Sequence, residues 1–358
     1  MKSMKQLIAL SLALCMLVAL AACGTSATAP ASGTEATLTS SSPDDKVYTI
    51  TMNSTWPNLD SNNSIAGYAV NTWFFEEVTK RTNGHVVFDT YWSGALFKAS
   101  EILDAMQGSA LDMAFVTPHA YGEIVPEGFL TTMPMWTDST MDAHNAYRQT
   151  EIWSIFEEAF LEVNMRPLYV LYIGNYGFMS KTPINSTADL KGKLIRSSGT
   201  LYKLWFDELG LTSVDITSAE AYDALQKGIL DIDCQGWSTL ETVKLGEVIN
   251  YCVYPQYQNS VGVAMFMDEK LFQSLPKEYQ DIILEVAFEA EAMAISDEAT
   301  AQGNEQLEVH YEKYDIQFTT IEDADRLVDT VQVMFDYWAG MNEGCAKLVD
   351  IIYEWAGW

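Results

Sequence analysis

Asp104–Ala114 reads DAMQGSALDMA, and 119 positions later Asp223–Asp233 reads DALQKGILDID. In each copy an apolar-periodic segment runs into a Gln, then a small or glycine-containing turn, then a Leu-Asp pair that opens an apolar run. Physically that is the end of a helix, a tight turn and the start of a buried strand. Helix-turn-strand units share a limited vocabulary, so the repeat alone leaves coincidence and duplication both open. The surrounding chain decides between them.

From Lys46 onward strand-like and helix-like segments alternate. VYTITMNS and HVVFDTYW are β-branched and aromatic; between them SIAGYAVNTWFFEEVTKRTNG has helical spacing, Lys and Arg in its last turn and Gly84 just past it. SEILDAMQ, LDMAFV, DAHNAYRQTEIWSIFEEAFLE and RPLYVLYIG then read as helix, strand, helix, strand. After Gly177 the order restarts with KGKLIRSS, TLYKLWFDELG, LTSVDI, TSAEAYDALQKG and ILDIDCQ, where Thr217 and Glu220 stand in capping-box spacing and Gly228 supplies the stop. This is an α/β order with mostly parallel strands. The repeated unit falls at the same stage of both segments, which favours two similar lobes. Ligand sites of open α/β sheets lie beyond the carboxyl ends of the strands. Residues just after each copy are therefore candidates: Thr117 and His119 in VTPHAY, Gln235 and Trp237 in QGWST.

SLPKEYQDIILEVAFEAEAMAISDEATAQGNEQLEVHYEKY reads as one very long helix with Pro276 in its first turn, long enough to lie across both lobes. IEDADRLVDTVQVMFDYWAGMNEGCAKLVDIIYEWAGW is a last helical stretch.

The amino-terminal MKSMKQLIALSLALCMLVALAACGTS is an export signal: Lys2 and Lys5, an unbroken apolar run, then small residues. Its LAAC, Leu20–Cys23, resembles a bacterial lipobox, which implies cleavage before Cys23 and acylation of that residue; the plainer reading is a secretory signal with an incidental Cys. GTSATAPASGTEATLTSSSPDD behind it is a flexible tether. The expected product is anchored to a membrane surface outside the cytoplasm and does not span the membrane, because no later segment is both long enough and free of charge.

The formal net charge is −29; residues 1–22 carry two Lys and no acid, so their removal leaves −31. A chain this acidic repels nucleic acid and anionic lipid. Any anion it binds needs a local cation in a shielded cleft. Cys234, Cys252 and Cys345 form no metal-ligand pattern and at most one disulfide, and read best as small buried hydrophobes. No G-x-S-x-G, H-E-x-x-H, P-loop or G-x-G-x-x-G occurs, and none of His85, His119, His144 and His310 stands near a Cys or another His in ligand spacing. Neither metal nor cofactor is expected. Arg196 in KLIRSSG ends an apolar strand and precedes small residues, leaving its planar fork room to pair with a carboxylate; an ordinary surface arginine is the competing reading. Trp56, Trp92, Trp136 and Trp237 fall in or beside loops after strands, either to stack on a ligand or to fill an inter-lobe core.

GNYGFMSKTPINSTADLKGKLIRSSGTLYKLWFDELGLTSVDITSAEAYDALQKGILDID resembles the central region of the solute-binding receptors of tripartite ATP-independent periplasmic (TRAP) transporters. Those receptors carry a phenylalanine before xSKxPI, matched by Phe178, then DLKGxKIR and ALQxGxVDG. EEVTKRTNGHVVFDTYWSGAL and ILDAMQGSALDMAFVTP resemble their first-lobe signatures, and MFMDEKLFQSLPKEYQDIILEVA the start of their lobe-spanning helix. The resemblance implies a two-lobed periplasmic-binding-protein-like α/β fold with a cleft between lobes. It implies a non-enzymatic receptor that captures a small organic acid and delivers it to membrane permease subunits. Arg196 matches the arginine that pairs with the ligand carboxylate, and Gln235 matches a family asparagine. Tyr176 stands where many members have a second arginine, and Gly236 and Trp237 depart from the usual pattern. One arginine, a Gln and several Trp imply a monocarboxylate with an apolar or aromatic body. A receptor for an uncharged sugar-like solute and a secreted enzyme remain as alternatives. The expected division is a signal peptide over 1–22, a tether over 23–45, one lobe over 46–173 plus about 258–295, and the other over 174–257 plus about 296–358.

Overall fold

The structure, a computed structural model, describes residues 46–56, 67–172, 176–197, 199–259 and 261–358. The signal segment, Cys23 and the tether lie outside the described residues.

Two sheets organise the chain. The first, in the order β2-β1-β3-β10-β4, is built from β1 (Tyr48–Ser54), β2 (Val86–Tyr91), β3 (Met113–Val116), β4 (Met165–Tyr172) and β10 (Gly262–Asp268). The second, in the order β11-β9-β5-β8-β6-β7, takes β5 (Tyr176–Ser180), β6 (Leu194–Ser197), β7 (Thr212–Asp215), β8 (Ile232–Asp233), β9 (Tyr251–Gln258) and β11 (Gln317–Thr320). β1, β2 and β3 pair in parallel, as do β6 with β7 and β8. The sheets are nevertheless mixed: β10 runs antiparallel to β3 and β4, and β5 runs antiparallel to β8 and β9, while β9 and β11 pair in parallel. Strands carry the chain from sheet to sheet twice, along β4 to β5 and back along β9 to β10, and a helical stretch later returns it to β11 of the second sheet. A returning strand beside an outgoing one must run the other way.

The repeated unit is a structural repeat. Its helices are α2 (Ala99–Gln107), which follows α1 (Gly67–Arg81), and, in the second half, α6 (Ser218–Gln226). After α2 the N–H of Ala110 reaches back to the Ala105 carbonyl (2.7 Å), with Ser109 left-handed at φ 51°. After α6 the N–H of Ile229 reaches the Ala224 carbonyl (2.8 Å), with Gly228 at φ 72°. Both are the six-to-one closure of a helix end, which satisfies carbonyls the helix leaves open. Each Leu-Asp pair then does one job: Asp112 Oδ2 accepts the Thr51 N–H of β1, and Asp231 Oδ2 accepts the Leu194 N–H of β6, both at 2.9 Å. At the other end of α6 the Thr217 N–H donates to Glu220 Oε2 (2.9 Å), closing the expected box.

Three expected helices differ. DAHNAYRQTEIWSIFEEAFLE divides into α3 (Thr140–Gln149) and α4 (Ile152–Leu161). There Thr150 Oγ1 donates to the Ala146 carbonyl (2.7 Å) and accepts the Ile152 N–H (3.2 Å), so a side chain replaces the backbone ladder. The second half also holds α5 (Thr200–Glu208) and α7 (Thr239–Thr242), while α8 (Glu269–Ser274) follows β10 at the first sheet. The very long helix runs from the first sheet to the second as two 18-residue helices, α9 (Lys277–Ala294) and α10 (Asp297–Tyr314), parted at Ile295–Ser296. Ser296 with Asp297 and Glu298 behind it is a helix-start signal inside the apolar periodicity. The last stretch is α11 (Asp325–Ala339) and α12 (Glu343–Ala356), restarted by Asn342, whose Oδ1 accepts the Cys345 N–H (2.8 Å).

One core fills the space between the first sheet and α1 and α9, around Phe74, Val78, Met265 and Val286. A second packs α6 on the second sheet through Leu225, Met179 and Cys252. The largest spans both sheets and the carboxyl-terminal helices. α11 packs on α5 of the second half and α12 on α4 of the first; Trp338 Nε1 donates to the Pro126 carbonyl (2.7 Å) and Trp355 Nε1 to Asp142 Oδ1 (3.1 Å). Among the described residues no helix is long and apolar enough to cross a membrane.

Candidate functional site

The two copies of the repeated unit end at one place. β3 delivers Thr117 and His119, the latter in a 3-10 turn Pro118–Tyr121; β8 delivers Asp233, Cys234 and Gln235. Arg196 lies beside them on β6, set by the register Ile195↔Ile232 and by the Cys234 thiol, which donates to the Arg196 carbonyl (2.9 Å). Tyr176 begins β5 and bridges to Gly236. A side chain at Gly177 would come within 2.8 Å of the Trp237 indole nitrogen, which requires Trp237 to shift, and one at Gly236 would press on the Tyr176 ring at 3.2 Å.

Arg196 is the chemical centre of this group. It is 9 % exposed and is the sole buried Lys or Arg among the described residues. Its Nε is enclosed without a hydrogen-bond partner, and no ion pair holds the guanidinium among the described residues. The four other arginines all differ from it in exposure, and Arg81, Arg148 and Arg166 are ion-paired with glutamates. A buried guanidinium whose Nε has no partner is suited to pairing an anion; the buried Asp233 carboxyl lies near enough to feel its charge but forms no ion pair with it among the described residues.

His119, Tyr176 and Cys234 beside it are held uncharged. Burial, reinforced by the Arg196 charge, lowers the His119 imidazole to about 4, and His119 Nδ1 is enclosed without a partner. Burial raises the Tyr176 phenol and the Cys234 thiol each to about 12, against the opposing pull of Arg196. Asp233 is fully buried; desolvation raises its carboxyl, while Arg196, Gln235 and the Cys234 amide favour the carboxylate. Its Oδ1 accepts the Cys234 N–H (2.6 Å) and its Oδ2 the Gln235 Nε2–H (2.8 Å).

The structure therefore brings His119, Tyr176, Asp233 and Cys234 to Arg196, ties Gln235 to Asp233, and leaves Thr117 at the start of the His119 turn. Trp56 stands half-buried at the end of β1, one strand from β3. The other candidates lie elsewhere. Phe178 is a core residue among Trp205, Phe206 and Tyr257. Trp136 packs on Tyr147 in the first half. Trp237 is buried among Tyr254, Tyr311 and Phe318 on the far side of Gly177. Trp92 lies over a surface groove of about 460 Å³ between α1 and β2, with Phe75 and Phe88. Aromatic side chains are the largest apolar surfaces to bury, and Trp136 and Trp237, two of the four Trp expected near a ligand, answer that demand instead. Asp233 escaped sequence reading; its signal was a carboxylate inside the apolar run ILDIDC, where a charge needs partners.

The pattern described as DctP, bacterial extracellular solute-binding protein, family 7, matches residues 58–341. The chain belongs to that family. A solute-binding protein of Albidiferax ferrireducens is 26 % identical over 294 residues, covering 78 % of this chain and 84 % of its own. Among solved structures, a TRAP periplasmic solute-binding protein from Rhodoferax ferrireducens with bound malonate superposes with a TM-score of 0.74 at 22 % identity, covering 86 % of this chain and 98 % of its own. One from Roseobacter denitrificans with bound β-D-glucuronate gives 0.74 at 18 % identity, covering 85 % and 99 %. An extracytoplasmic solute receptor from Bordetella pertussis binding pyroglutamic acid gives 0.73 at 18 % identity, covering 86 % and 99 %. The two-lobed fold is thus that of the family's receptors, and its members are solute-binding proteins.

Proposed function

We propose that this receptor captures a small monocarboxylate between its two sheets, with Arg196 as the anchor, and delivers it to the membrane permease subunits of a TRAP transporter. The observation that carries the reading is the buried Arg196 guanidinium at the meeting point of both repeats, its Nε without a partner and no ion pair holding it among the described residues. The acid ligands of the relatives agree with it. Stacking of an uncharged sugar on tryptophan is disfavoured, since Trp136 and Trp237 are enclosed in cores.

Titration calorimetry of a carboxylate panel (pyroglutamate, D-glucuronate, malonate, lactate) against the parent and two variants tests the reading. Arg196→Ala is expected to cost about 3–5 kcal/mol of binding, because it leaves the carboxylate enclosed without its partner. Arg196→Lys should recover part of that, an ammonium giving one point contact in place of a fork. Parent-like binding by Arg196→Ala removes the assignment.

The lipobox reading belongs to the same proposal. Mass spectrometry of the protein from a lipoprotein-processing host should give an acylated chain beginning at Cys23; an unmodified terminus elsewhere refutes the anchor.

A further inference from the structure

Asp233 and Gln235 decide more than the position of a loop. Asp233 is 0 % exposed and its two oxygens are both engaged, one by the Cys234 N–H and one by Gln235. A carboxylate only accepts, so the NH2 end of the Gln235 amide is the end that must face it. The carbonyl end, Oε1, is left without a hydrogen bond, and Gln235 itself is 5 % exposed, beside Arg196. We propose that Asp233 is a positioning residue that fixes Gln235 with its carbonyl toward the ligand, so that the receptor prefers monocarboxylates bearing a hydroxyl or N–H donor to 2-oxo acids and dicarboxylates of similar size. The proposal rests on Arg196 as the carboxylate anchor.

The preference follows from two mismatches. A keto oxygen brought against Gln235 Oε1 sets acceptor against acceptor, leaving both unsatisfied in an enclosed place, whereas a hydroxyl or lactam N–H donates to it. A second carboxylate meets no second cation. His119 is held neutral, Arg196 is the sole buried Lys or Arg among the described residues, and the stretches 57–66, 173–175, 198 and 260 contain no Lys, Arg or His. Asp233 already places one carboxylate beside Arg196, so a dianion would leave enclosed negative charge unmatched. Malonate, bound by the Rhodoferax relative, is accordingly expected to be a poor ligand here.

Calorimetry with matched pairs tests this: lactate against pyruvate and against malonate, and D-gluconate against D-glucarate. The parent should favour the donor-bearing monoacid of each pair by at least about tenfold. Asp233→Asn frees the Gln235 amide to turn and should bring each ratio to within about threefold; Gln235→Met removes the reading group and should do the same even where the Asn variant does not fold. Melting without ligand accompanies each titration. Equal binding within pairs by the parent, or parent-like ratios in the folded variants, overturns the proposal and leaves Arg196 as anchor. If no carboxylate in either panel binds the parent, the carboxylate reading itself falls, and this proposal with it.

Discussion

His119 shows what the site demands of single residues. It is the one histidine facing Arg196, and burial with that neighbouring charge holds it at about 4, below the ordinary 6.5. Between those values an unfolded chain binds a proton at this residue that the folded chain does not. The contribution to stability is therefore intact above about pH 6.5, declines as pH falls, and levels off below about pH 4. Over pH 7.5 to 4 the melting temperature of the ligand-free parent should fall further than that of His119→Gln, which has no imidazole to protonate. A variant that loses stability in parallel with the parent would show that His119 does not titrate in this way. Tyr176 is a second case at the residue scale: its phenol, pushed to about 12 by burial, puts bulk and a donor beside Arg196 without charge.

At the scale of elements, the junction of the two sheets is held by a second buried charge group remote from the ligand proposal. Glu291, 0 % exposed near the end of α9, accepts Arg148 Nε (2.8 Å) and Nη2 (2.5 Å) from α3 and the Val170 N–H (3.3 Å) from β4. Arg148 also lies 3.8 Å over the Trp153 ring. Glu291 thus ties the helix that leaves for the second sheet to the strand that does the same. Removing one partner strands the other, so Arg148→Ala should cost about 3–5 kcal/mol of stability in urea unfolding. Replacement of both by an apolar pair of similar volume should cost far less. A loss below about 1 kcal/mol for Arg148→Ala would mean the pair is solvated like a surface bridge.

For the whole molecule the controlling feature is the pair of strand crossings, β4–β5 and β9–β10, beside the helical one along α9 and α10. Tyr172 pairs with Gly262 on one side of the crossing and Tyr176 with Gln258 on the other, so two antiparallel strands serve as the connection. A ligand held by Arg196 and touched by the β3 end stabilises only the arrangement in which both sheets reach it, which shifts the population toward closure. Small-angle scattering should give a smaller radius of gyration at saturating ligand. Identical curves with and without ligand would exclude a closing cleft. α11 and α12 set a limit on the motion, since they pack on both halves and share one core with them.

Much of this was legible in the chain as written. DAMQGSALDMA and DALQKGILDID fixed two equivalent helix-turn-strand units, because closure of a helix end and the aspartate that caps a neighbouring strand are local chemistry that short sequence specifies. Arg196 was legible for a similar reason: a charge at the end of an apolar strand. Other features were set only when the chain folded. Whether Phe178, Trp136 and Trp237 line a cleft or fill a core depends on which sheet face each meets, and strand alternation alone does not name the partner of either face. The break at Ile295–Ser296 was outvoted by continuous periodicity, which is blind to where a helix must bend to follow two bodies. The link from Asp233 to Gln235 is two residues long, yet its meaning comes from Arg196, 37 positions before Asp233, because a buried carboxylate acquires a role only from the groups that surround it.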